Sequence, residues 1–242
     1  MRAAQPLKVD RPSVLRTALL LLTTWYAGVV CEFSIASEKT MRFYCGTYTT
    51  RLGHVDGAAE AIGIFEIASD DGELQLVGHS PAIANSSHMC AGRNGKFLYV
   101  ISEITDYHGR EDGCLTVFAV DPTSGALQSL QTVSSAGPGP AYVSLDRSGK
   151  FLLLANYVAG NVVVYPIQED GLLGDPTANE AHAGNIVNTD RQENPHPHCI
   201  VASPDNKFVL APDLGIDRIV LYRFDAATGS LACVQDLQGL AA

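Results

Sequence analysis

The stretch TDRQENPHPH (Thr189–His198) concentrates more reactive chemistry than any other segment of this 242-residue chain. Arg191 offers a planar guanidinium fork that grips a phosphate or carboxylate through two parallel hydrogen bonds. His196 and His198 each donate, accept or titrate near neutral pH. A His-x-His pair is also metal-ligand chemistry, but no third ligand is fixed by spacing, so no metal is assigned. Downstream, Asp213-Leu214-Gly215-Ile216-Asp217-Arg218 places two acids and an arginine in a tight turn. There an Asp217–Arg218 surface pair accounts for the residues as well as a binding role does.

These groups need a frame, and the chain supplies one by repetition. Three turn-plus-strand units recur, Asn94–Val100, Ser148–Leu154 and Asp205–Leu210, each built around a lysine (Lys96, Lys150, Lys207). The lysines return about every 55 residues, which is within the range of propeller blades. A second marker, Gly-x-Leu, follows at Gly72, Gly125, Gly171 and Gly229. Between the markers lie runs of β-branched and aromatic residues bounded by Gly, Asp and Asn, which is strand and hairpin chemistry. The clearest unit reads as Ala141–Leu145, a turn over Asp146–Gly149, Lys150–Asn156, Asn161–Ile167 and a fourth strand beyond Gly171. Such a four-stranded meander has two apolar faces and cannot stand alone. A ring of them buries those faces, so the expected fold is all-β, a β-propeller of four-stranded antiparallel blades. From Met41 onward there is room for about four blades at this spacing, an incomplete ring, so the sequence reads as a fragment.

The blade geometry gathers the polar residues. In an antiparallel pair, the start of one strand and the end of the next lie at the same edge. Eight residues before the repeat lysine stand His88 and Tyr142; in the third unit the position is Cys199 with His198 before it, and a bulge or one-residue slip is assumed there. Six after the lysine stand Ser102, Asn156 and Asp213, followed by Glu103 and Tyr157 in the first two units. His88 with Glu103, Tyr142 with Asn156, and His198 with Asp213 are therefore expected at one rim of the channel. Singly, each reads better as a turn cap than as a site residue. Together, at the mouth that the Arg191 loop also enters, they read as a site.

Composition narrows the partners. Hydrophobic residues make up 46% and charged residues 17%, so the chain is not a disordered tail. The formal charge of −10, with no basic cluster, argues against nucleic acid and against stable membrane association. Six cysteines lie at 31, 45, 90, 114, 199 and 233 with no C-x-x-C pair. Free thiols in strands, and hence a reducing, cytoplasmic compartment, are expected. The N-terminus pulls the other way. Arg11 and Arg16 precede the apolar run Ala18–Val30, and Ser34-Ile35-Ala36 has the form of a cleavage site, the parts of a signal peptide for export. The alternative is a true start at Met41, so residues 1–40 are set apart as signal peptide or upstream extension and 41–242 as the propeller domain.

The segments MRFYCGTYT (Met41–Thr49), GPGPAYVSLDRSGKFLLLANY (Gly137–Tyr157), RQENPHPH (Arg191–His198) and DLGIDRIVLY (Asp213–Tyr222) resemble the seven-bladed propeller lactonases, grouped with 6-phosphogluconolactonase and the fungal carboxymuconate cyclase. The resemblance runs from Met41 to the end and implies that about three blades are missing. It implies hydrolysis of a sugar-acid lactone with no cofactor, on a small anionic lactone or carboxylate. The alternatives are a lactonising cyclase on the same fold and a non-catalytic ligand-binding propeller. On matching positions, the resemblance makes His198 or Glu103 the base for water. Arg191 and Asn156 become donors to the carbonyl oxygen. Arg191 or Arg218 takes the anionic group, and His88 positions or protonates. Tyr142, His196 and Asp213 join the binding set. The family often has His where this chain has Tyr142, and tyrosine, with a pKa near 10, is a poor base at neutral pH.

Overall fold

The computed structural model describes residues 30–37, 40–53, 55–68, 71–185 and 190–238, and these contain strands and turns with no helix. The first blade comprises β1 (Val30–Ser37), β2 (Thr40–Cys45), a small hairpin of β3 (Arg51–Leu52) and β4 (Val55–Asp56), then β5 (Gly63–Ala68) and β6 (Leu74–His79). The second has β7 (Met89–Ala91), β8 (Phe97–Ser102), a hairpin of β9 (Asp106–Tyr107) and β10 (Arg110–Glu111), β11 (Cys114–Val120) and β12 (Leu127–Ser134). The third runs β13 (Pro140–Leu145), β14 (Phe151–Asn156), β15 (Asn161–Pro166) and β16 (Ala178–Ala181). The fourth runs β17 (Val201–Ala202), β18 (Phe208–Asp213), β19 (Arg218–Asp225) and β20 (Ser230–Gln238). Setting the two hairpins aside, each blade is a four-stranded antiparallel meander in sequence order.

The period-2 alternation of side chains explains why the runs are so apolar. Every residue of β14 is buried, because the blade is covered on both faces. Phe151, Leu153 and Ala155 pack with Val209, Ala211 and Tyr222 of blade 4. Leu152 and Leu154 point the other way, into Tyr99, Ile101, Leu115 and Val117 of blade 2. A third cluster joins blades 1 and 2 through Tyr44, Ile62, Leu98, Val100 and Phe118. Every interior blade thus contributes alternate residues of one strand to two separate cores.

The turn before β14 shows how blades are also tied by polar groups. Asp146, 2% exposed, accepts the N–H of Lys150 and of Phe151 on Oδ1, at 2.8 and 2.9 Å. Its Oδ2 accepts Ser148 N–H and the Asn206 amide of blade 4, at 2.9 and 2.7 Å. Burial alone raises its pKa, but the bonds from Ser148, Asn206 and Phe151 together outweigh it and hold the carboxyl below its ordinary value. Asp146→Ala is expected to destabilise the protein by about 3 kcal/mol, since several buried donors lose a charged acceptor. Urea unfolding reads the loss; a change under about 0.5 kcal/mol, the scale of an ordinary surface substitution, overturns the assignment. The Asp146 contribution is present above the unfolded carboxyl pKa and is lost as pH falls through the lower folded value.

Two departures from the sequence reading concern register. Pro140 pairs with Asn156 but Tyr142 with Ala155, so β13 carries a bulge between them. In blade 4, Pro197 bridges Asp213 while Val201 pairs with Leu210, the same one-residue offset. The bulge is therefore common to both blades and does not bring His198 into the His88 and Tyr142 position. Cys199 keeps that position, and His198 sits at the bulge. At the other end, β1 lies upstream of Met41 and pairs with β2, which would otherwise expose a free edge. Residues 1–29, with most of the apolar run, lie outside the described residues.

Candidate active site

The inner strands stand side by side, β13 touching both β7 and β17, and β1 touching β7. Their equivalent positions form a short ladder across three blades. The His88 ring lies 4.1 Å from the Tyr142 ring, tilted by 36°. The Tyr142 side chain in turn hydrogen-bonds Cys199, whose thiol pKa is nonetheless raised by burial. A thiol held protonated in this way is a packing group and a poor nucleophile.

His88 is the most perturbed histidine of the site. Burial, reinforced by the nearby charge of His198, lowers its pKa to about 4. The Val143 N–H donates to His88 Nδ1 at 3.3 Å. The neutral ring then carries its proton on Nε2, so at pH 7 His88 is a neutral donor and neither a base nor a cation. A pH dependence follows. As pH falls from 6.5, the ordinary histidine value, toward 4, the unfolded chain takes up a proton that the folded protein refuses. His88→Gln is expected to lose less stability than the native protein between pH 7 and pH 5 in urea unfolding. Equal losses would show that His88 does not titrate in this way.

Around the ladder the inner strand pair of each of blades 2, 3 and 4 is extended by the same backbone seam. Glu103 N–H donates to Asn85 O, Tyr157 N–H to Gly139 O, and Leu214 N–H to His196 O, at 2.9, 2.8 and 3.0 Å. The seam carries side chains with it. Tyr48 donates its hydroxyl to Glu103 Oε2 at 2.8 Å, joining blades 1 and 2. His196 stacks on Tyr157 at 4.3 Å and 8°, joining blades 3 and 4, and His198 meets the same tyrosine edge-on at 5.5 Å. The His196 nitrogens face the Tyr157 carbonyl at 2.8 Å and Glu193 Oε1 at 3.3 Å. Its ring is a fixture of the loop. His198 is exposed, as is Arg191, which has no hydrogen bond or ion pair to another described residue.

Other predicted site residues have structural work instead. Asn156 is fully buried, and its amide donates to Ser135 O and Asn161 Oδ1 at 2.8 and 2.9 Å. Both amide protons are spent, so no donor is left for a carbonyl oxygen. Asp213, 3% exposed, accepts three backbone N–H groups on Oδ1: His196 at 2.7 Å, Gly215 at 2.9 Å and Ile216 at 3.2 Å. Its Oδ2 meets His182 Nδ1 at 2.6 Å. Arg218 lies 4.0 Å from Asp236 on the outermost strand β20, and not against Asp217. The sequence reading missed His182 and Tyr48 as partners of the site, and placed Tyr157 at the rim without giving it a role. The only available signal for the tyrosines was their position at or after the strand ends; for His182 no local motif exists. A separate depression of about 620 Å³ lies at the outer edge between blades 2 and 3, lined by Tyr107, Arg110, Gln131, Tyr165 and Asp175. None of the rim residues lines it.

Four-stranded antiparallel blades whose inner strands stand side by side define a β-propeller. The chain belongs to the lactonase family of seven-bladed β-propellers, whose model matches residues 42–239. It is 34% identical over 180 residues to the 6-phosphogluconolactonase of Bacillus subtilis, covering 74% of this chain and 48% of that protein. A crystal structure from Bacteroides uniformis superposes with a TM-score of 0.74 at 29% identity, covering 84% of this chain and 56% of that one. The periplasmic gluconolactonase of Pseudomonas aeruginosa superposes with a TM-score of 0.68 at 26% identity, covering 84% and 69%. The chain spans about half the length of the curated relatives it matches.

Proposed function

We propose that the protein hydrolyses a sugar-acid lactone bearing an anionic group, in the manner of a 6-phosphogluconolactonase. The observation that carries this reading is the His88–Tyr142–Cys199 ladder, with the charge of His198 close to His88, in a chain of the lactonase propeller family. Arg191 takes the phosphate or carboxylate of the substrate. His198 removes a proton from water, whose oxygen attacks the lactone carbonyl; Glu103 is less free for this because Oε2 already accepts the Tyr48 hydroxyl. His88, through Nε2–H, donates to the oxygen on which charge develops, the role the spent amide of Asn156 leaves open. Collapse of the tetrahedral intermediate breaks the ring C–O bond, and the leaving oxygen takes the proton held by His198. The product is the open hydroxy acid. Carbon changes no oxidation state, so the step needs no redox cofactor.

A phosphorylated substrate favours a cytoplasmic reaction, and the free thiols of Cys45, Cys90, Cys114, Cys199 and Cys233 suit that reading. Among the described residues no helix is long and apolar enough to cross a membrane. The alternative of export rests on residues 1–36, of which 1–29 lie outside the described residues. The test is hydrolysis of 6-phosphogluconolactone and of unphosphorylated gluconolactone by purified protein, with spontaneous opening subtracted. Faster opening of the phosphorylated lactone supports the reading; no opening of either above the spontaneous rate removes it.

A further inference from the structure

His182 follows β16, the outermost strand of blade 3, and none of the roles above uses it. Its own N–H donates to Gly160 O at 2.8 Å, and its side chain, like that of Asp213, is completely buried. A carboxylate only accepts, so Nδ1 carries the proton in the 2.6 Å contact with Asp213 Oδ2. Nε2 is buried with no hydrogen-bond partner among the described residues. An Asp–His pair with an open Nε2 has the first two members of a nucleophile-activating relay. Among the described residues the relay has no third member. The ring beside His182 is that of Tyr222, 6.0 Å away and 2% exposed, and the side chains of the pair have no exposed surface.

What His182 does reach, through Asp213, is the loop. Asp213 Oδ1 gathers the N–H groups of His196, Gly215 and Ile216, and His196 in turn stacks on Tyr157. Those three bonds require the carboxylate to keep one orientation. His182 sets it by occupying the other oxygen from the opposite side of the blade interface. Without that donor, Oδ2 is a buried charged atom with no partner, and turning to find one takes Oδ1 off the loop.

We propose that His182 is a positioning residue for the rim, holding Asp213 so that His196 lies against Tyr157 and the loop presents Arg191 and His198 in a fixed geometry. The proposal rests on the reading of the rim as a ligand site. Its test compares His182→Leu, which removes the donor, with His182→Asn, whose amide nitrogen lies about where Nδ1 lies. Proton NMR follows the ring-current-shifted resonances of His196, which report the stack on Tyr157, and calorimetry gives the Kd of 6-phosphogluconate as probe. In the leucine variant the His196 resonances are expected to move toward unstacked values and Kd to rise about tenfold, the effect of one lost charged hydrogen bond. Asparagine is expected to restore both, with Kd within about threefold of native, since it replaces the donor. Should leucine prevent folding, His182→Gln, whose donor lies away from Asp213, replaces it. Unmoved His196 resonances overturn the proposal, and so does a lost stack with native Kd, which marks a purely structural contact. If native protein itself fails to bind the probe, the lactonase reading falls, while the His196 resonances still decide the positioning role.

Discussion

Replacing Arg191 by alanine is expected to lower kcat/KM for 6-phosphogluconolactone by about 100-fold or more, while the midpoint of unfolding stays where it was. The two halves of this expectation have one source. Arg191 is exposed at the start of the loop and makes no ion pair or hydrogen bond with another described residue, so no contact among the described residues is lost when it goes. A guanidinium with no partner among the described residues can turn both prongs of its fork to an anion. Lysine at this position keeps the charge but not the two-pronged geometry, and about a tenth of native kcat/KM is expected for it. The substrate pair separates two roles. If Arg191 clamps the phosphate, the loss is large for the phosphorylated lactone and small for gluconolactone. If it serves the carbonyl oxygen, both substrates lose equally. Native rates for both in the alanine variant would remove Arg191 from the site.

The blades were legible because their information is local. Six consecutive apolar or small residues ending in Asn156, after a turn that needs Gly149 at φ +72°, specify a strand buried on both faces, and β14 is one. Strand ends fell within a residue of expectation in blade 3, where β13 begins at Pro140 and β15 stops at Pro166. The coincidence of His88 and Tyr142 was also readable, since equal offsets from a repeated lysine on equivalent strands must bring side chains together. What the offsets did not show is the bulge in blade 3. Assumed only where the third unit slipped, it occurs in both blades and leaves Cys199, not His198, in the ladder.

Chemistry set by tertiary contacts stayed hidden for a different reason. Asn156 looks like a free amide at a strand end until Ser135 and Asn161 are seen to take both its protons. Asp213 looks like an acid at a rim until three backbone N–H groups and a histidine 31 residues away fill it. The hairpin of β9 and β10 turns through His108 and Gly109, at φ +57° and +73°, a pair of left-handed residues that hairpins usually supply as Asn-Gly. Histidine in that place gives no turn signal. For Asn156 and Asp213 the residue type suggested a free functional group, and only the fold shows how many partners each already has.

Gly215→Ala is expected to cost as much activity as losing a catalytic group, although residue 215 touches no substrate. A Cβ there would lie 1.7 Å from the carbonyl oxygen of Asn194 and 2.8 Å from the nitrogen of His196. Both are backbone atoms, so no side chain can swing aside. The constraint is close approach of two chains and not a left-handed backbone, since Gly215 is absent from the residues with positive φ. To accept a methyl group the 194–196 backbone must retreat by more than about 1 Å, and displacements of that size at a site cost about 100-fold in rate. The retreat also pulls His196 from Asp213 Oδ1, now 2.7 Å away, so the stack on Tyr157 and the aim of His198 change together. Gly78→Ala is the control, because its Cβ would meet only Ile64 Cδ1 at 4.0 Å. The expected result is about 100-fold lower kcat/KM with a lowered unfolding midpoint for Gly215→Ala, and native values for Gly78→Ala. Native turnover in the Gly215 variant would mean that the loop's seat on blade 4 does not set the geometry of the reaction.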